Sequence, residues 1–143
     1  MAQSPFEIKK EICDVGKRIY DHGFVAANDG NISVKVGPNE FYCTPTGVSK
    51  GYMTPDMIIR IDGQGNKIDG KLNPSSEIKM HLRCYKERDD VNGVVHAHPP
   101  TATGYAVARV SGASGCRRCR ACTSSRGYRL HGRGHCHGSV HPA

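Results

Sequence analysis

The stretch Val94-Val95-His96-Ala97-His98-Pro99-Pro100 puts two histidines at the end of an apolar run closed by two prolines. Read as a strand stopping at the rim of a sheet, it alternates its side chains, so His96 and His98 are expected to face the same way. Two imidazoles so placed can turn ring nitrogens toward one cation. Zinc suits imidazole, and a catalytic zinc site needs about three protein ligands and an open position. His-x-His is short, and a pair of rim histidines bonded to backbone or water has the same spacing. The neighbours must decide.

Three small polar loops supply the next chemistry: Gly30-Asn31, Thr46-Gly47 and Ser75-Ser76. Each offers a hydroxyl or amide beside backbone N–H groups, and Ser75-Ser76 precedes a predicted helix, whose free N–H groups and dipole favour an anion. Together they could cradle a phosphate without Lys or Arg. Taken singly, each reads as an ordinary turn or cap. Glu77 follows the serines directly. A first-turn acid commonly complements the helix dipole, but beside a cation and a phosphate it could remove a proton next to a carbonyl. His81, one turn on, is read as structural.

The elements that must position these groups are legible in outline. Ser4-Pro5-Phe6-Glu7 is a capping box, and Ile8, Ile12, Val15 and Ile19 recur at helical spacing until His22-Gly23 ends the helix. Strands are expected over Ile32–Val36, Phe41–Thr44, Met57–Asp62 and Lys67-Ile68, with turns between that argue for antiparallel pairing. Asn73 and Pro74 are expected to cap and open a second helix whose Ile78, Leu82 and Tyr85 share a face. The run Gly93 to His98 is expected as a strand, and Thr101 to Arg109 as the start of a helix capped by Thr101.

The chain of 143 residues carries a net charge of +7, which suggests a nucleic-acid partner until it is divided by position. All 13 acids and 14 of the 20 Lys and Arg lie within residues 1–110, while 111–143 hold six Arg and no acid. The body is close to neutral and the basic character belongs to the tail. Cys13, Cys43 and Cys84 are scattered, as suits reduced thiols, whereas Cys116, Cys119, Cys122 and Cys136 crowd the end. With no apolar signal core and no run of transmembrane length, a cytoplasmic protein without membrane partners is expected.

Gly30-Asn31-Ile32-Ser33, Thr44-Pro45-Thr46-Gly47, Pro74-Ser75-Ser76-Glu77 and His96-Ala97-His98, in this order, resemble the class II aldolase/adducin family, most closely its L-fuculose-phosphate aldolases. The resemblance covers residues 1 to about 109. It implies a three-layer α/β/α sandwich with a mixed, largely antiparallel sheet, one zinc ion per subunit and a homotetramer. It further implies that Gly30, Asn31, Thr46, Gly47, Ser75 and Ser76 hold the substrate phosphate. His96 and His98 would bind zinc, and Glu77 would be the acid/base and a contact to the resting metal. The implied reaction is cleavage of a ketose 1-phosphate, such as L-fuculose 1-phosphate, to dihydroxyacetone phosphate and an aldehyde. Zinc would act as Lewis acid and stabilise the enediolate. A sugar-phosphate 4-epimerase, a dehydratase or an inactive scaffold of the same family are the alternatives; glutamate after Pro-Ser-Ser favours the aldolase.

Past Val110 the pattern changes within one expected helix, so that 1–110 reads as the family domain and 111–143 as a Gly/Arg/Cys/His-rich tail. The tail lacks the apolar residues to offset its ordering entropy and is expected to be disordered, or an out-of-frame reading of a GC-rich gene. The family's third zinc histidine and a tyrosine lent to the neighbouring subunit are not matched there, and the role passes to none of His131, His135, His137 or His141. Cys119, Cys122, His135 and His141 have Cys2His2 finger spacing, but Arg126 and Gly132 stand where such a finger needs apolar residues. The expected consequence is a truncated sheet, impaired turnover and no specific nucleic-acid partner.

Overall fold

A computed structural model describes residues 3–107, 129–131 and 135–137. The chain divides into two compact units, residues 1–97 and 98–143. The first holds helix α1 (Pro5–Asp21), strands β1 (Asn31–Gly37), β2 (Glu40–Cys43), β3 (Ile59–Asp62) and β4 (Lys67–Asp69), helix α2 (Ile78–Glu87) and strand β5 (Gly93–His96). Its sheet runs β4-β3-β2-β1-β5 with every described pairing antiparallel. The second holds helix α3 (Pro100–Val107) and the antiparallel pair β6 (Arg129–His131) and β7 (His135–His137). The remaining positions of the 111–143 tail, Cys119, Cys122 and His141 of the finger spacing among them, lie outside the described residues.

Strand alternation splits the first unit's core into two layers. Ile32 and Tyr42 face α1 and pack with Ile12, Cys13, Met53 and Ile58. Phe41, Cys43, Ile59 and Ile61 face the other way and pack with Ile78 and Tyr85 of α2. One helix therefore covers each face, giving the α/β/α sandwich expected. Ile59 and Ile61 are wholly buried, and each such side chain contributes about 1.5–3 kcal/mol. The capping box of α1 forms as read: Glu7 N donates to Ser4 Oγ at 3.2 Å and Ser4 N donates to Glu7 Oε2 at 2.7 Å. His22 closes that helix, and Gly23 follows in the left-handed region (φ +67°). No helix among the described residues is long and apolar enough to cross a membrane.

Four local expectations need correction. Helix α2 begins at Ile78, not after Asn73, because the Asn73 carbonyl accepts from Thr46 N (3.0 Å) and Pro74 bridges Pro45. Residues 73–75 are held by the neighbouring loop. Helix α3 starts at Pro100, so Thr101 lies inside it and cannot be its cap. Pro55–Met57 form a 3-10 turn, and β3 starts only at Ile59. Strand β5 stops at His96, opposite Asn31, the first residue of its partner β1. His98 is therefore outside the strand, and the alternation expected to align it with His96 does not reach it.

The buried thiols shape the alkaline limit of stability. Burial pushes Cys13 up to about 11 and Cys43 up to about 12, from 9.0. An acid whose folded pKa is raised is more protonated in the native state, so its contribution is intact below the unfolded value and lost as pH climbs through the folded one. Between pH 9 and 11 the Cys43 share alone is roughly 2 kcal/mol, at up to about 1.4 kcal/mol per pH unit. Tyr85, also pushed up to about 12 by burial, acts in the same direction above pH 10, while burial lowers Lys50, which opposes. Denaturant midpoints should fall from pH 9 to 11, and Cys43→Ala should flatten that fall; an unchanged slope would show that Cys43 is not the group responsible.

Candidate functional site

The three polar loops are gathered by backbone pairing at one end of the sheet. Thr44 N donates to Ile32 O (3.0 Å), and Ile32 N donates to Thr44 Oγ1 (3.1 Å), fixing Thr44-Pro45-Thr46 beside the start of β1. Ser75 N donates to Thr44 O (3.3 Å), which brings the approach to α2 onto the same loop. Asn31 stands opposite His96 in the β1–β5 ladder. Gly30, Asn31, Thr46, Gly47, Ser75, Ser76, Glu77 and His96 thus belong to adjoining segments of the first unit. His98 belongs to the second unit.

Two glycines are required by geometry. Gly30 has φ +72°, and a Cβ there would lie 2.5 Å from Val25 Cγ1 and 2.8 Å from the His96 carbonyl oxygen. Gly47 has φ +70° with open space on its Cβ side. Thr46, Gly47 and Ser76 are exposed, whereas Asn31, Ser75 and His96 are buried. Ser75 Oγ accepts from Glu77 N (3.3 Å), and Ser75 O accepts from Ile78 N (3.2 Å), so Ser75 makes the first turn that leads into α2. Glu77 is the N-terminal boundary residue of α2, and its side chain makes no capping hydrogen bond. That carboxylate is not consumed by its own helix.

Asn31 Oδ1 is buried and has no hydrogen-bond partner among the described residues. Turning the amide over by 180° would present its NH2 there as a donor to an anion. Either way a polar atom is held ready for a guest, because a buried amide left unmatched costs about 1–3 kcal/mol.

Lys50 is a contributor that sequence reading missed. It is 1% exposed, and its ammonium donates to Asn28 O (3.1 Å) and to Val48 O. Those carbonyls flank Gly30-Asn31 and Thr46-Gly47, so one buried cation ties two of the polar loops together. Burial lowers its pKa, and Asp29 nearby offsets part of that shift. The signal in sequence was faint: a lone lysine after Gly47-Val48-Ser49 resembles any solvated charge.

Beneath these loops lies a buried polar cluster. Ser33 Oγ is 2.7 Å from His81 Nδ1 and 2.8 Å from the Tyr85 hydroxyl, which itself donates to Ser33 O at 2.8 Å. Burial, with His96 nearby, lowers His81 to about 4, so its ring is neutral at physiological pH. The expected structural role of His81 agrees with this burial. Among the described residues no group of three His, Cys, Asp or Glu side chains that could hold a metal ion is found. The metal role of Glu77, His96 and His98 is taken up below as a proposal.

The sequence matches the family described as class II aldolase and adducin N-terminal domain over residues 10–135. It is 39% identical over 95 residues to an L-fuculose phosphate aldolase of Methanocaldococcus jannaschii, covering 66% of this chain and 51% of that protein. A methylthioribulose-1-phosphate dehydratase of Methylococcus capsulatus is 32% identical over 104 residues, covering 72% and 50%. Among solved structures, an L-fuculose 1-phosphate aldolase superposes with a TM-score of 0.68 at 34% identity, over 76% of this chain and 51% of its own. The chain spans about half the length of the curated relatives it matches.

Proposed function

The chain belongs to the class II aldolase and adducin family, and from that premise we propose that it carries the phosphate seat and part of the metal site of a zinc-dependent lyase acting on ketose 1-phosphates. The observation that carries this reading is the gathering of Gly30-Asn31, Thr46-Gly47 and Ser75-Ser76 at one sheet end by the Thr44–Ile32 and Ser75–Thr44 hydrogen bonds. Backbone N–H groups, hydroxyls and the Asn31 amide there suit a phosphate, and the approach to α2 adds the favourable end of a helix.

Two imidazoles and a carboxylate are a donor set that suits zinc, and the Glu77 carboxylate is not spent on capping. His96 and His98 would hold the cation, with Glu77 touching it in the resting state; the place of His98 rests on its two-residue distance from His96 in sequence. Bound there, the cation would supply Lewis-acid polarisation of the substrate's hydroxy-ketone oxygens. Glu77 would move the proton at the carbon beside the carbonyl, while Asn31, Thr46 and Ser76 keep the phosphate still. Cleavage of L-fuculose 1-phosphate to dihydroxyacetone phosphate and an aldehyde is the reading preferred. The methylthioribulose-1-phosphate dehydratase relative favours a second, in which the same seat serves loss of water without carbon–carbon cleavage.

The full chain, loaded with zinc, is expected to release dihydroxyacetone phosphate from L-fuculose 1-phosphate slowly, with loss of at least about 100-fold in Glu77→Gln. Dehydration of methylthioribulose 1-phosphate without such release would favour the second reading. Zinc-loaded protein that turns over neither substrate and fails to bind inorganic phosphate would refute both. A homotetrameric, cytoplasmic enzyme is part of the same proposal, and sedimentation of the full chain tests the assembly.

A further inference from the structure

The hydrogen bonds around Ser33 determine which nitrogen of His81 carries its proton. Three contacts must be served: Tyr85 hydroxyl to Ser33 O, Ser33 Oγ to the Tyr85 oxygen, and Ser33 Oγ to His81 Nδ1. The tyrosine proton goes to the Ser33 carbonyl, so the serine proton is the one left to lie between the two hydroxyl oxygens. The third contact then needs a proton from His81 Nδ1. The opposite tautomer would leave two oxygen lone pairs facing each other at 2.8 Å. With Nδ1 protonated, Nε2 of the neutral ring is a lone pair. That atom is buried, on a residue 1% exposed, and has no hydrogen-bond partner among the described residues.

A buried acceptor calls for a donor. Ser33 and Asn31 lie on the same face of β1, and His96, paired with Asn31, lies on that face of β5. This is the face against which α2 presents His81 and Tyr85. The Nε2 side of His81 points away from Ser33, and His96 is the diagonal neighbour of Ser33 in the β1–β5 ladder, where Asn31 pairs with His96 and Ser33 with Val94.

We propose that His81 is a positioning residue: Tyr85 and Ser33 lock it as the Nδ1–H tautomer, and its Nε2 accepts, through one buried water, the ring N–H of His96 that is not turned to the cation. An imidazole that binds a metal commonly donates its other N–H to such a partner, and losing that partner typically weakens metal binding about 10–100-fold. The metal side of this inference rests on the zinc reading above; the tautomer and the His81–His96 link do not.

The experiment is nitrogen-15 NMR of the histidine rings in the metal-free full chain, followed by zinc competition titration. His81 should show a protonated Nδ1 and a bare Nε2. Ser33→Ala should shift the balance between its tautomers, and His81→Leu should move the ring resonances of His96. His81→Leu should also weaken zinc binding about 10–100-fold, with His81→Gln, which keeps an acceptor, recovering part of the loss. A wild-type His81 protonated on Nε2 overturns the proposal, as do His96 resonances that ignore a folded His81→Leu chain. If His81→Leu does not fold, the wild-type tautomer and the Ser33→Ala response decide. A wild-type chain that shows the predicted tautomer and His96 response but binds no zinc would sink the lyase reading and leave the link standing.

Discussion

His96→Ala should reduce the affinity of the full chain for zinc by more than about 100-fold, a larger loss than removal of any outer partner. His96 is the histidine whose position the fold determines: it closes β5, faces Asn31 across the ladder, and is 8% exposed. The same substitution in His98 should also weaken binding. Competition with a chromophoric chelator measures both, and thermal unfolding checks that each variant is folded. Equal affinity in wild type and His96→Ala would mean that the bound zinc sits elsewhere, with the cysteines of the tail the first suspects.

Gly30→Ala should be the most damaging single-methyl change in the first unit. The residue sits at φ +72°, where an L side chain costs about 1–3 kcal/mol. Its new methyl would also meet Val25 Cγ1 at 2.5 Å and the His96 carbonyl at 2.8 Å. Overpacking of that kind costs about a further 1–3 kcal/mol. A total of roughly 2–6 kcal/mol is expected in urea unfolding, together with weaker binding of phosphate and zinc, because the backbone that must retreat carries Asn31 on one side and His96 on the other. Gly47→Ala is the control. It has the same sign of φ (+70°) but open space around the Cβ, so only the smaller backbone cost should appear. Equal losses at the two positions would show that contact with Val25 and His96 contributes nothing.

The parts of the fold written in local pattern were legible from residues alone. The capping box at Ser4-Glu7 and the spacing of Ile8, Ile12, Val15 and Ile19 defined α1, and alternation in Ile32, Val34 and Val36 defined β1. What failed depended on partners distant in sequence. Asn73-Pro74 has the composition of a helix start, but pairing with Thr46 and Pro45 holds it as a connecting strand-like segment. The strand expected to run through His98 stops at His96, because a strand extends only as far as its neighbour and β1 begins at Asn31. The polar loops were noticed for their residue types. Their convergence is the work of Thr44, which bonds Ile32 on one side and Ser75 on the other. Lys50 was invisible, because nothing in a one-dimensional pattern distinguishes a buried ammonium held by two carbonyls from a surface one.

The most direct test of the proposed zinc site is the X-ray absorption spectrum of the full chain loaded with one equivalent of zinc. Imidazole scattering with nitrogen and oxygen neighbours at about 2.0–2.1 Å, lost in His96→Ala, is the result expected from His96, His98 and Glu77. A shell of sulfur at about 2.3 Å that survives His96→Ala would place the metal on cysteines and contradict the account.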